Sequence, residues 1–124
     1  MRLLLDTHIL LWWLTQSEQL TRRARSTIVG ADAVFVSAAS AWEMAIKASI
    51  GKLKTPDDLE AQMRANRFIE LPVKVSHAIV AAELPRLHGD PFDRMLVAQA
   101  AAESLTLLTA DARLKAYGGS IFLA

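Results

Sequence analysis

Short apolar runs alternate with amphipathic segments along the whole chain, and this alternation restricts the fold more than any other feature. Leu3-Leu4-Leu5, Ala33-Val34-Phe35-Val36, Phe68 to Leu71, Leu105 to Leu108 and Ile121 to Leu123 have strand length and, apart from Glu70 and Thr106, are apolar on both faces. A strand of that kind belongs in a parallel sheet covered by helices on both sides. Between these runs the sequence reads as helix. Arg2 to Asp6 forms the first strand, with Thr7 to Thr15 as a helix behind it. Ser17 can cap a second helix, with Glu18 in its first turn, Leu20, Ala24 and Ile28 on one face, and Gly30 at its end. Ser37 caps a third, reaching Ser49 with Gly51 just beyond. Thr55-Pro56-Asp57-Asp58 has the composition of a helix start, and that helix reaches Asn66. Ser76 begins another, stopped by Leu84-Pro85; Asp90-Pro91 begins the next, running to Ser104; a short helix spans Ala112 to Lys115.

The expected architecture is therefore a doubly wound α/β fold, one domain spanning residues 1–124. Hydrophobic residues make up 52% of the chain and charged residues 22%, which excludes a disordered chain. The absence of cysteine removes thiolate metal sites, disulfides and cysteine nucleophiles, and suits a cytoplasmic location. The run from Leu3 to Leu14 is broken by Asp6 and His8 and is far short of the roughly 20 residues that span a bilayer. Trp12, Trp13, Phe35 and Trp42 are more aromatic surface than one small core absorbs, which points to an oligomer or a partner surface.

In such sheets ligands bind at the carboxyl ends of the strands. Four acids fall there. Asp6 follows the first strand and Asp111 the fourth; Glu43 lies two turns into the helix after the second strand; Asp93 lies in the first turn of the helix before the fourth. Carboxylates gathered in a small volume repel one another unless a cation joins them. An all-oxygen set without cysteine favours Mg²⁺ or Mn²⁺, and such an ion can activate water against a phosphodiester. Each acid also has a plainer role. Asp6 can cap the following helix, Glu43 can pair with Lys47 one turn on, Asp111 can cap a turn, and Asp90 has the spacing of a cap for its helix. Ser37, Ser40 and Glu43 share a helix face, so Ser40 could orient a carboxylate, as could Thr7 and Thr109 after their strands. His8, His77 and His88 lack the helical spacing of a ligand pair; His77 reads as a helix-start residue and His88 as a loop residue. Lys47, Lys52, Lys54 and Arg94 could touch phosphates or simply be solvated.

Four stretches together resemble the PIN-domain nucleases, and within them the VapC-type toxins of toxin–antitoxin pairs. They are Leu3-Leu4-Leu5-Asp6-Thr7, Ser37-Ala38-Ala39-Ser40-Ala41-Trp42-Glu43, Asp90-Pro91-Phe92-Asp93-Arg94-Met95-Leu96-Val97-Ala98-Gln99-Ala100 and Thr109-Ala110-Asp111. Gly51-Lys52-Leu53 and Leu71-Pro72 extend the likeness along the chain. The resemblance implies a PIN-like sheet of about five strands in the order 3-2-1-4-5. It also implies a metal-dependent ribonuclease, the toxin of a type II pair, using Mg²⁺ or Mn²⁺ at a pocket of Asp6, Glu43, Asp93 and Asp111. It further implies an RNA substrate, a small antitoxin partner and a homodimer or higher oligomer. Two other readings share the fold. One is a binding module without catalysis. The other is a receiver or phosphoryl-transfer domain, which would need adjacent acids after the first strand and a phospho-accepting Asp after the third.

Overall fold

Leu3, Leu4 and Leu5 are completely buried, and they point alternately to the two faces of the central strand. The computed structural model describes residues 1–124. It comprises β1 (Arg2–Leu5), α1 (Thr7–Leu14), α2 (Arg22–Val29), β2 (Ala33–Ser37), α3 (Ala38–Ser49), α4 (Leu59–Ala65), β3 (Ile69–Leu71), α5 (Val75–Glu83), α6 (Pro91–Ala102), β4 (Thr106–Thr109) and β5 (Ile121–Leu123). A 3₁₀ helix, Ala112–Tyr117, joins the last two strands. All pairings are parallel, and the strand order is β3-β2-β1-β4-β5. The register sets Leu4 beside Phe35 on one side and Leu107 on the other, and Leu5 beside Leu108. Strands are added to one side of β1 up to β3 and to its other side from β4 on, so the carboxyl ends of the parallel neighbours β1 and β4 form the switch point where a crevice opens.

Two apolar clusters sandwich the sheet. Leu3, Leu5, Val34, Val36 and Leu108 meet Ile9 and Leu10 of α1, Ala24 and Ile28 of α2 and Met63 of α4 on one face. Leu4, Leu107 and Ile121 meet Leu96, Val97 and Ala100 of α6 on the other. Burial of a whole leucine side chain contributes about 2 kcal/mol, so these layers hold the strand ends rigidly in register. No helix is long and apolar enough to cross a membrane.

Three helix starts differ from the sequence reading. α2 begins at Arg22 and not at Ser17, because Thr21 is the cap: its hydroxyl accepts the Ala24 N–H at 3.0 Å. Ser17 instead accepts the Gln19 N–H within a turn, and Leu20 is buried ahead of the helix. α4 begins at Leu59 and not behind Thr55-Pro56. Asp58 supplies the cap to the Ala61 N–H from the left-handed region, φ 47°, which a short polar side chain tolerates. α5 starts one residue before Ser76, where the Lys74 N–H donates to His77 Nδ1 at 3.0 Å. The end of α3 is as expected. Gly51 adopts φ +74°, and the N–H groups of Gly51 and Lys52 return to the carbonyls of Ala48 and Lys47. This C-terminal lock fixes the last turn, which carries Lys47.

Candidate active site

Each acid reaches the switch-point crevice because a helix start or strand end puts it there. Asp6 directly follows β1; its own N–H continues the sheet by donating to the Leu108 carbonyl at 3.0 Å. Its side chain is 4% exposed. One oxygen caps α1 by accepting the Thr7 N–H at 2.7 Å; the other accepts the Thr109 hydroxyl at 2.7 Å. Thr109, fully buried at the end of β4, also accepts the Asp111 N–H at 3.0 Å. One hydroxyl thus fixes Asp6 to β4 and fixes the turn that carries Asp111.

Glu43 is equally buried, on the inner face of α3. Its Oε1 accepts the Thr7 hydroxyl at 2.8 Å, and the Ser40 hydroxyl lies 3.0 Å from that of Thr7. Thr7 has one proton and gives it to Glu43, so Ser40 supplies the proton of the second bond. The other oxygen of Glu43 accepts Lys47 Nζ at 2.7 Å. The pairing weighed for Glu43 is therefore real, and it lies inside the crevice.

Asp90 is the cap of α6, accepting the N–H groups of Phe92 at 2.8 Å and Asp93 at 3.3 Å. Asp93 is thereby turned into the crevice, where its Oδ2 meets His88 Nε2 at 2.8 Å. Asp111 caps the 3₁₀ helix and holds the Arg113 guanidinium by both oxygens, at 3.0 and 2.8 Å. Asp6, Glu43, Asp93 and Asp111 all line a single open cavity of about 270 Å³, together with His8, Trp12, Lys47, Asp90, Ala110 and Arg113.

The electrostatics divide the acids. Burial pushes the Asp6 carboxyl above its ordinary range; the Thr109 hydrogen bond opposes this, and the charge of Glu43 adds to it. Asp93 is pushed up to about 6, first by burial and then by the negative charges of Asp6 and Asp90. Arg113 holds Asp111 below its usual value. Two acids are thus strained toward neutrality by burial and by one another, in a setting of oxygen donors. A divalent cation relieves that strain, so the donor set fits one.

His88 is the residue that the sequence reading missed. Its spacing marks it only as a loop residue; in the structure its Nε2 lies 2.8 Å from Asp93 and 3.7 Å from Asp111. The spacing rule fails because it applies to two ligands on one helix, whereas His88 approaches from the α5–α6 loop. The usable signal is its position just before the Asp90-Pro91 helix start, which returns the chain to the carboxyl edge of the sheet. His77 belongs elsewhere: fully buried, it donates from Nε2 to Glu103 at 2.8 Å. Arg94 is not solvated either. It caps the end of α5 through the carbonyls of Ala81 and Leu84, at 2.8 and 3.0 Å.

The fold and the crevice define a nuclease-like α/β domain, and the chain belongs to the PIN-domain family, whose model matches residues 3–120. It is 31% identical over 117 residues to "Ribonuclease VapC22" of Mycobacterium tuberculosis, covering 92% of this chain and 90% of that one. Among solved structures it is similar to a toxin–antitoxin complex from Klebsiella pneumoniae, with a TM-score of 0.68, 18% identity and coverage of 96% and 94%. It is also similar to VapBC2 from Rickettsia felis bound to a promoter DNA fragment, with a TM-score of 0.68, 15% identity and coverage of 100% and 98%.

Proposed function

We propose that this chain is a metal-dependent endoribonuclease and the toxin of a type II toxin–antitoxin pair. The observation that carries the reading is the convergence of Asp6, Glu43, Asp93 and Asp111 on one cavity at the switch point of a PIN fold. The ribonuclease name of the Mycobacterium relative supports RNA as substrate. The toxin–antitoxin complexes among the structural neighbours support a small antitoxin as partner.

Asp6 and Asp93 would hold Mg²⁺ or Mn²⁺, with Glu43 and Asp111 completing the site. The ion supplies an activated water and a counter-charge for the phosphoryl group. The protein's own groups do the rest. Thr109 fixes the rotamer of Asp6 and Thr7 that of Glu43, so neither carboxylate reorganises when charge develops. Lys47 and Arg113 line the same cavity and present cations to the flanking phosphates. Trp42, 64% exposed, packs edge-on against Phe92 beside an apolar groove that also includes Val73 and Met95. That unburied aromatic surface supports a protein partner, either the antitoxin or a second copy.

One observation favours a silent binding module instead: Lys47 and Arg113 already compensate two of the four acids. The receiver-type reading finds no support, since β3 is followed by Pro72 and not by an acid. Titration of Mg²⁺ into a reaction of purified protein with single-stranded RNA decides between the first two. Metal-dependent cleavage that Asp6→Asn abolishes supports the nuclease. Equal activity with and without metal, or in the variant, overturns it.

A further inference from the structure

The α5–α6 loop is built more firmly than a connection requires, and it ends on a histidine turned into the cavity. His88 N–H donates to the Tyr117 hydroxyl at 3.1 Å, and the His88 carbonyl accepts Arg94 Nη1 at 3.4 Å. Arg94 also donates to the carbonyls of Ala81, Leu84 and Pro85, while Tyr117 donates to Pro85. Two side chains thus pin the loop backbone on either side of the imidazole. The ring itself is 9% exposed, and its bonding within the chain is through Nε2 alone.

Ligand atoms of His88, Asp93 and Asp111 all lie within 4.8 Å of one another, a spacing that one ion can bridge. We propose that His88 Nε2 is a nitrogen ligand to the divalent cation of this site, beside Asp93 and Asp111, and biases the site toward Mn²⁺ over Mg²⁺. The inference rests on the metal-dependent reading above. A neutral imidazole carries one proton. Without a cation that proton belongs on Nε2, facing Asp93; placed on Nδ1, it frees the Nε2 lone pair toward the same space with no change in charge. Nitrogen donors raise affinity for first-row transition ions much more than for Mg²⁺, which prefers oxygen and retains its waters.

The alternative role for His88 is a hydrogen bond that orients Asp93 without touching the ion, and a spectroscopic readout separates the two. Metal-stripped full-length protein is titrated with Mn²⁺, binding is followed by electron paramagnetic resonance, and pulsed spectra are examined for imidazole nitrogen coupling. Mg²⁺ affinity is read by competition. His8→Gln is the control, since His8 also lines the cavity. The wild type and His8→Gln are expected to show nitrogen coupling. His88→Gln should lose it and bind Mn²⁺ about tenfold more weakly, with Mg²⁺ affinity changed by less than about threefold. If His88→Gln fails to fold, coupling retained in His8→Gln still assigns the ligand, because His77 is buried against Glu103. Bound Mn²⁺ without nitrogen coupling, or coupling that survives in His88→Gln, overturns the assignment and leaves the carboxylate pocket standing. Wild-type protein that binds neither ion overturns both readings.

Discussion

The two walls of the cavity are built on different principles. The strand wall, Asp6 with Thr7, Ser40, Glu43 and Thr109, is buried, and its groups hydrogen-bond to one another across β1, β4 and α3. The loop wall, His88 with Asp93, Asp111 and Arg113, is more open and is held by a hydrogen bond between His88 and Asp93 and by the ion pair of Arg113 with Asp111. The strand wall is fixed before any ligand arrives. On the proposed function, a fixed wall orients the reacting groups and a more open wall admits the metal ion and the charged substrate.

The largest effect expected breaks the strand wall at its centre. Asp6→Asn keeps a cap oxygen for Thr7 but halves the carboxylate, and RNA cleavage should fall by about 10²–10³-fold in an initial-rate assay while the fold persists in circular dichroism. Next, Thr109→Val preserves shape but strips Asp6 Oδ2 and the Asp111 N–H of their shared partner. Denaturant unfolding should show a loss of about 1–3 kcal/mol, and Mg²⁺ affinity should drop about 10-fold or more. An undisturbed metal affinity would mean that Asp6 needs no orienting.

Both walls hold an acid pushed up by burial, Asp6 in one and Asp93 in the other, while Asp111 in the loop wall is pushed down. The Asp93 carboxyl titrates near 6 in the folded protein, above its ordinary value, so the native state holds a proton that the unfolded chain releases. By linkage, metal-free protein is most stable at low pH in this respect and loses stability as pH rises from about 4 to about 6. The stabilising effects of the lowered carboxyls Asp111 and Glu103 are lost only at lower pH, as it falls below the ordinary carboxylate range. Thermal unfolding between pH 4.5 and 6.5 should therefore show a fall in midpoint that Asp93→Asn reduces, with the remainder due to the raised Asp6, and that saturating Mg²⁺ reverses. The smallest effect belongs to Arg113, whose side chain is 71% exposed. Arg113→Ala should leave the midpoint of denaturant unfolding nearly unchanged, since exposed pairs contribute little.

The same contrast explains what the sequence made legible. Leu3-Leu4-Leu5 with Asp6 carried both the central strand and its acid, because a fully buried strand admits a charge only at its end. The sheet and the acids Glu43, Asp93 and Asp111 followed from position relative to such strands. Helix starts were less legible where two caps competed: Ser17 against Thr21, Thr55 against Asp58. Those contests are settled by which side chain meets a free N–H, a matter of tertiary placement. His88 was invisible for a related reason, since its contacts to Asp93, Tyr117 and Arg94 depend on how one loop folds back. The compensation of Asp111 by Arg113, two residues on, was within reach of the sequence and went unread.

On the proposed function, four carboxylates from both walls form one cation site. Calorimetric titration of Mg²⁺ into the wild type, Asp6→Asn and Asp93→Asn addresses it most directly. Saturable binding is expected in the wild type and should be lost, or weakened at least about tenfold, in each variant. Equal binding in all three, or wild-type protein that cleaves RNA without binding the ion, would contradict it.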